Sequence, residues 1–316
     1  GMHLPLRDPR LAGALRGGAV LAVIVGVLAV PAGFAAAAVA GTSHVAIYAV
    51  VLASGSAAVL LPALQETQAE GRDVLAVMAQ VTIADIVTIL SVPIVLQPRR
   101  TVHALVGAAL VTVAVLLLLG LARLLAGHRW VNHVRRLSKQ RHWALDLRLS
   151  LLVLFGLAWI AQKSGTSVLI AGFGAGVTVA LIGGPKRLSA QIRGVADGFF
   201  IPLYFVVLGA QLDLRGLVSD PAMLALTGAL AVLNVAIHLA AVAIVRRPPS
   251  AGLTATAQLG VPAAVASLGL AEGVLSSTVA TAIVAAAVVS LGVCTVGIER
   301  LIGRESAQPT ASVPAT

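Results

Sequence analysis

Charge is scarce in this 316-residue chain: 11% of its residues are Asp, Glu, Lys or Arg, against about 25% in a soluble globular domain. A soluble protein of this size could not cover its surface with so few polar groups, so soluble enzymes and disordered proteins are excluded. Aromatic residues are scarce too, at 3%. With no basic face interleaved with aromatics, the net charge of +10 does not mark a nucleic-acid-binding protein. A single cysteine, Cys294, excludes a disulfide scaffold and a Cys-based zinc site within the chain, and reads as a buried, inert thiol. No nucleophile–base pair, no metal-ligand spacing of His, Asp and Glu, and no Gly-rich phosphate loop after a strand is visible. The chain is therefore not read as an enzyme, and no cofactor is implied.

What the sequence has in abundance is apolar length. Hydrophobic residues make up 59% of it, with a mean hydropathy of +0.99. A bilayer core needs about 20 apolar residues in a helix, and ten segments fit that need, some as interrupted helices: 17–40, 44–64, 74–96, 103–126, 147–163, 167–184, 198–212, 222–245, 252–270 and 276–298. The expected fold class is an all-α polytopic membrane protein. The loops are short and polar, and the longest, 127–146, is basic and amphipathic. With the spans alternating across the bilayer, 18 of the 22 Lys and Arg fall on one side and four (Arg99, Arg100, Lys163 and Arg215) on the other. The positive-inside rule then places both termini in the cytoplasm, with a bacterial inner membrane as the location. The organisation expected is a cytoplasmic segment over 1–16, a first three-helix repeat over 17–100, connecting helices over 101–216, a second repeat over 217–300 and a disordered tail over 301–316.

In so apolar a chain the informative residues are the polar ones at membrane depth. Asp85 stands at the midpoint of the third span, where nothing on its own helix neutralises it. An ionised carboxylate there costs about 3 kcal/mol on insertion scales, and such groups mark ion or proton paths. Thr82 and Thr88 stand three residues to either side and share its face, although each hydroxyl can also bond back to its own helix. The second span carries Ser54, Gly55 and Ser56 at its centre and Pro62 later. The ninth carries Thr254, Thr256, Gln258, Gly260 and Pro262. Gly and Pro at mid-membrane read as interruptions, and irregular backbone at that depth is tolerated only inside protein or beside a water-filled cavity. Two such helices in corresponding places of two halves are the signature of inverted-repeat transporters, whose freed carbonyls coordinate cations. In the eighth span Asn234 and His238 share one face at i, i+4, and His238 reads either as a packing residue or as a titrating group.

At these residues the chain resembles the monovalent cation/proton antiporter superfamily, in its Kef- and Nap-like branch. LASGSAAVLLPALQE and TATAQLGVPAAVASLGL resemble the family's two interrupted helices, and VTIADIVTIL the helix with its essential aspartate. GFGAGVTVALIGGPKRLSAQIRGVADGFFIPLYFVVLGAQLDL is the most specific stretch. The resemblance implies Na⁺/H⁺ or K⁺/H⁺ exchange by alternating access, with Asp85 binding either the proton or the metal ion. Ser54, Ser56, Thr88 and Thr82 are the candidates to complete its oxygen shell. Asn234, His238, Thr256 and Gln258 are the candidates in the second repeat. The position before the aspartate is Ala84, where relatives carry a polar residue; His238 stands where a Lys is common, and Gln258 where Kef-like members have an Arg. These departures remove the usual fixed positive partner and make His238 a pH-responsive partner for Asp85. The resemblance also implies a homodimer through scaffold helices. It implies about three further helices before GMHLPLRDPRL, so that the chain reads as N-terminally incomplete. A sodium-coupled organic-anion symporter of related fold and a non-transporting membrane fragment or sensor are the alternative readings.

Overall fold

A computed structural model describes residues 11–67, 71–98, 101–125, 145–163, 172 and 194–306. The described secondary structure is helical: α1 (Leu11–Ala40), α2 (Val45–Ala53), α3 (Ala57–Glu66), α4 (Arg72–Leu96), α5 (Thr101–Leu125), α6 (Leu145–Lys163), a π-helical turn (Ala196–Phe200) running into α7 (Ile201–Gln211), α8 (Leu214–Ser219), α9 (Pro221–Ile244), α10 (Pro249–Thr254), α11 (Gly260–Ala271) and α12 (Ser277–Ser306). Among the described residues five stretches are long and apolar enough to cross a membrane: Ala14–Ala40, Val45–Leu64, Arg72–Leu96, Pro221–Ile244 and Ser277–Gly303. Of the span expected over 167–184 only Gly172 is described, of the basic link over 127–146 only Leu145 and Asp146, and within the stretch 172–214 residues 173–193 lie outside the described residues. At the ends the helices run further than the sequence suggested. α1 begins at Leu11, inside the expected N-terminal segment, and α12 continues to Ser306, with Leu301 buried.

The chain divides into two compact units. The first is built from the helices before Gln97 and after Ala210. Its side chains are distributed as lipid dictates rather than as water does. On α1 the large residues Val20, Val23, Val27, Val30 and Phe34 point outward, while Leu21, Val25, Ala29, Ala32 and Ala36 are buried. The two stripes recur every three to four residues, the period of one helix face. Lipid tails are as apolar as a core, so helices associate through small residues that let backbones approach. Gly33 shows this, since a Cβ there would lie 2.7 Å from the carbonyl oxygen of Val45 at the start of α2.

Within this unit α1, α2/α3 and α4 form one run of helix, broken helix, helix, and α9, α10/α11 and α12 form another of the same order. α1 packs on α2, α4 and α9, α9 on α10 and α12, and α4 on both α10 and α11. Asp220 opens the second run: its carboxylate accepts the Ala222 N–H at 2.9 Å and Pro221 takes the first helical position, where a missing N–H costs nothing. α9 ends in a Schellman arrangement, with the Arg247 N–H on Val242 O at 2.8 Å and the Arg246 N–H on Ala243 O at 3.1 Å. Arg246 holds a φ of 56° there, a conformation in which glycine is usual. The turn aims Arg247 at Asp73 in the first turn of α4, 2.5 Å away.

In the second unit α5 and α6 pack through Val115, Leu157 and Ala161, with Ala114, Leu118, Val153 and Leu154 around them. The π-helical turn precedes Pro202. The Ile201 N–H reaches back to Ala196 O, five residues rather than four. Such a widened turn accommodates the ring and missing N–H of a proline.

Candidate functional site

The two breaks fall where the backbone loses its regular partners. α2 stops as Ser54 turns extended (φ −75°, ψ 156°), and α3 restarts at Ala57 after three non-helical residues. The Ser54 hydroxyl donates to Val51 O at 2.6 Å, so it competes with the helical bond at the point where the helix ends. In the second run α10 closes at Thr254, Leu259 sits at φ −155°, ψ −55°, and α11 begins at Gly260. The Thr256 hydroxyl donates to Leu253 O at 2.7 Å. The prolines do not make the breaks: Pro62 lies inside α3 and Pro262 in the first turn of α11, where the first N–H groups have no intrahelical acceptor anyway. Serine and threonine back-bonding, with Gly55 and Gly260, marks the interruptions instead.

Gly55 brings the first break against α4. A Cβ on it would lie 2.9 Å from Val81 Cγ1 and 3.1 Å from both the Cα and the carbonyl oxygen of Val81. Asp85 stands one turn further along α4. It is half-buried, the backbone N–H of Ala57, the first residue of α3, lies near its carboxylate, and no ion pair holds it among the described residues. A helix N-terminus carries partial positive charge and unpaired N–H groups, so the break supplies the carboxylate with a polar neighbour that needs no cation. Ser56 is buried beside it in the sequence of the break. Thr88 is buried and donates to Ala84 O at 2.6 Å; Thr82 donates to Met78 O at 2.7 Å. A hydroxyl that gives its proton to a carbonyl keeps oxygen lone pairs for another donor or a cation.

The second-repeat candidates are gathered into one buried network. Asn234 donates to Thr256 O and to Ser290 Oγ, each at 3.0 Å, and accepts from Gln258 at 2.9 Å. Gln258 also reaches the first break, donating to Leu52 O at 3.3 Å and Ser54 O at 3.4 Å. One amide therefore ties together α9 and both interrupted helices. Of the two readings that the sequence left open for His238, packing residue or titrating group, its surroundings agree with the first. It is buried, its Nδ1 pairs with Asn234 O of its own helix at 2.8 Å, and no hydrogen bond or ion pair joins it to Asp85. α10 presses close on that turn: a Cβ on Gly252 would lie 3.0 Å from His238 O.

Ser290 is the residue that the sequence reading missed. It is the fourteenth residue of α12, as Asp85 is of α4, so the two stand at the same place in the two runs. It holds Asn234 and its carbonyl accepts the Thr256 hydroxyl at 3.3 Å. The equivalence rests on the helix starts Arg72 and Ser277; the spans expected from the sequence, from 74 and 276, would have paired Asp85 with Ala287 instead. Among the described residues no cluster of three His, Cys, Asp or Glu could hold a metal ion. Cys294 is buried and reaches Thr254 O at 3.2 Å.

Comparison with known proteins gives a consistent set of matches. Residues 1–302 match the family model described as sodium/hydrogen exchanger, transmembrane. Over 65 residues the chain is 34% identical to YjbQ of Bacillus subtilis (strain 168), named as a candidate Na⁺/H⁺ antiporter; the match takes in 21% of this chain and spans 11% of that relative's length. The fold is similar to that of the sodium proton antiporter MjNhaP1 from Methanocaldococcus jannaschii, with a TM-score of 0.56 and 16% identity, over 94% of this chain and 81% of the other.

Proposed function

The chain belongs to the sodium/hydrogen exchanger family, a family of multi-pass membrane proteins, and we propose from this that it exchanges a monovalent cation for protons at Asp85. The observation that carries the reading is the placement of Asp85: a carboxylate at mid-helix, against the start of α3 and without a cationic partner among the described residues. A carboxylate so placed holds a proton or a hard cation, never both, and competition for one group couples the two fluxes. The oxygens of Ser54, Ser56, Thr88 and Thr82, with carbonyls freed at the break, supply the remainder of an oxygen shell. Asn234, Gln258 and Thr256 act in this reading as the clamp that holds the two breaks face to face, and His238 as part of its packing. Alternating access in this reading is the rigid movement of one helix bundle against a scaffold.

The cation is Na⁺ or K⁺, the membrane is a bacterial plasma membrane with both termini cytoplasmic, and a homodimer is its assembly. The Lys and Arg imbalance supports the orientation. The test is cation-driven proton flux in proteoliposomes, run separately with Na⁺ and K⁺. Asp85→Asn keeps the shape and removes the titrating group; its flux falls to that of empty liposomes. Exchange surviving in the Asn variant would overturn the assignment.

A further inference from the structure

At the start of α10 lies a cavity of about 350 Å³, lined by Pro249, Ser250 and Leu253 of α10 and by Arg300 and Gly303 of α12. The two helices are held close at this level, since a Cβ on Gly297 would collide with the backbone of Leu253 and Thr254. The apolar stretch of α12 ends at Gly303 and α10 opens at Pro249, so the cavity sits at a membrane surface and not at mid-depth.

Two features of its wall call for a ligand. Ser250 is 5% exposed, yet its Oγ is one of two buried side-chain polar atoms with no hydrogen-bond partner among the described residues. Buried hydroxyls are nearly always paired, and an unpaired one asks what is missing. Arg300 is exposed and makes no ion pair among the described residues, and the lining holds no carboxylate to neutralise it. A guanidinium presents directed N–H donors that fit the oxygens of a phosphate.

We propose that this cavity binds a phosphate group, with Arg300 supplying charge and donors, Ser250 a further donor, and Pro249 and Leu253 an apolar wall that suits the glycerol and acyl stem of an anionic phospholipid. Asp85 is not among the residues that line the site.

The experiment uses the full chain, delipidated in a non-ionic detergent. Thermal unfolding and native mass spectrometry are followed with phosphatidylglycerol in one arm and inorganic phosphate, against chloride at equal ionic strength, in the other. Phosphatidylglycerol is expected to raise Tm and to stay bound in the wild type, and Arg300→Gln to weaken binding about tenfold or more, the loss of one charge-assisted hydrogen bond. Ser250→Ala separates binding from structure. Without lipid it removes an unpaired hydroxyl and leaves Tm unchanged or higher, whereas with lipid it gains less than the wild type. The same variant sensitivity in the phosphate arm alone supports the site and makes free phosphate its source. A Tm rise equal in the wild type and both variants, or no rise with either probe, would overturn the proposal.

Discussion

Replacing Gln258 by Leu removes one amide nitrogen that serves three acceptors: Asn234 Oδ1 at 2.9 Å, Leu52 O at 3.3 Å and Ser54 O at 3.4 Å. The first is a well-formed bond, and a buried amide oxygen left without its donor costs about 1–3 kcal/mol. The two longer bonds lie beyond the usual range and share the nitrogen. Together they add about 1 kcal/mol. Leu fills most of the space, so no large cavity term arises. The expected loss is about 2–4 kcal/mol, or a fall in Tm of roughly 5–10 °C on the scaling of domains of this size. Thermal unfolding of Gln258→Leu, Asn234→Leu and the double variant in detergent forms a mutant cycle. Removing both partners together spares the orphaned acceptor, so the double variant should cost less than the sum of the singles by about 1 kcal/mol or more. Additive singles, or a Gln258→Leu variant as stable as the wild type, would refute the claim that this amide clamps the two broken helices.

Gly55→Ala should destabilise by about 1–3 kcal/mol and depress exchange, because the new methyl meets Val81. Adding Val81→Ala should restore Tm only in part, since the Cα and carbonyl oxygen of residue 81 stay in place; full recovery would show that only the Val81 side chain matters. Arg246→Gly should stabilise by about 0.5–1 kcal/mol, because φ is 56° there and glycine bears no penalty in that region. A lower Tm in the Gly variant would mean that the Arg246 side chain contributes more than its backbone costs.

Much of the site was legible because the membrane makes polarity conspicuous. Asp85 stood out as a carboxylate in the middle of an apolar span, and Ser54–Gly55–Ser56 and the Thr256–Gln258 stretch as hydroxyl and amide groups at the same depth. The all-helical fold with its two discontinuous helices followed from span length and from those interruptions. The exact cause of the breaks did not. Pro62 and Pro262 were the louder signal, yet helices carry them, because a proline is tolerated where neighbours or a helix start absorb the missing N–H. His238 was visible as a polar group at depth, but its partner was not, and the i−4 carbonyl of its own helix was as available as any distant residue.

The sequence alone determined that the chain is apolar, helical and membrane-spanning, where its helices break and which carboxylate stands at the middle of an apolar span, since each of these depends on local composition against the bilayer. Only the tertiary structure decided what those groups touch. The contact from Gln258 to Leu52 spans 206 positions of chain, and Ser290 joins Asn234 across 56. Hydrogen bonds of that reach are set by how the helices pack through small residues, and no local pattern encodes which buried donor meets which acceptor.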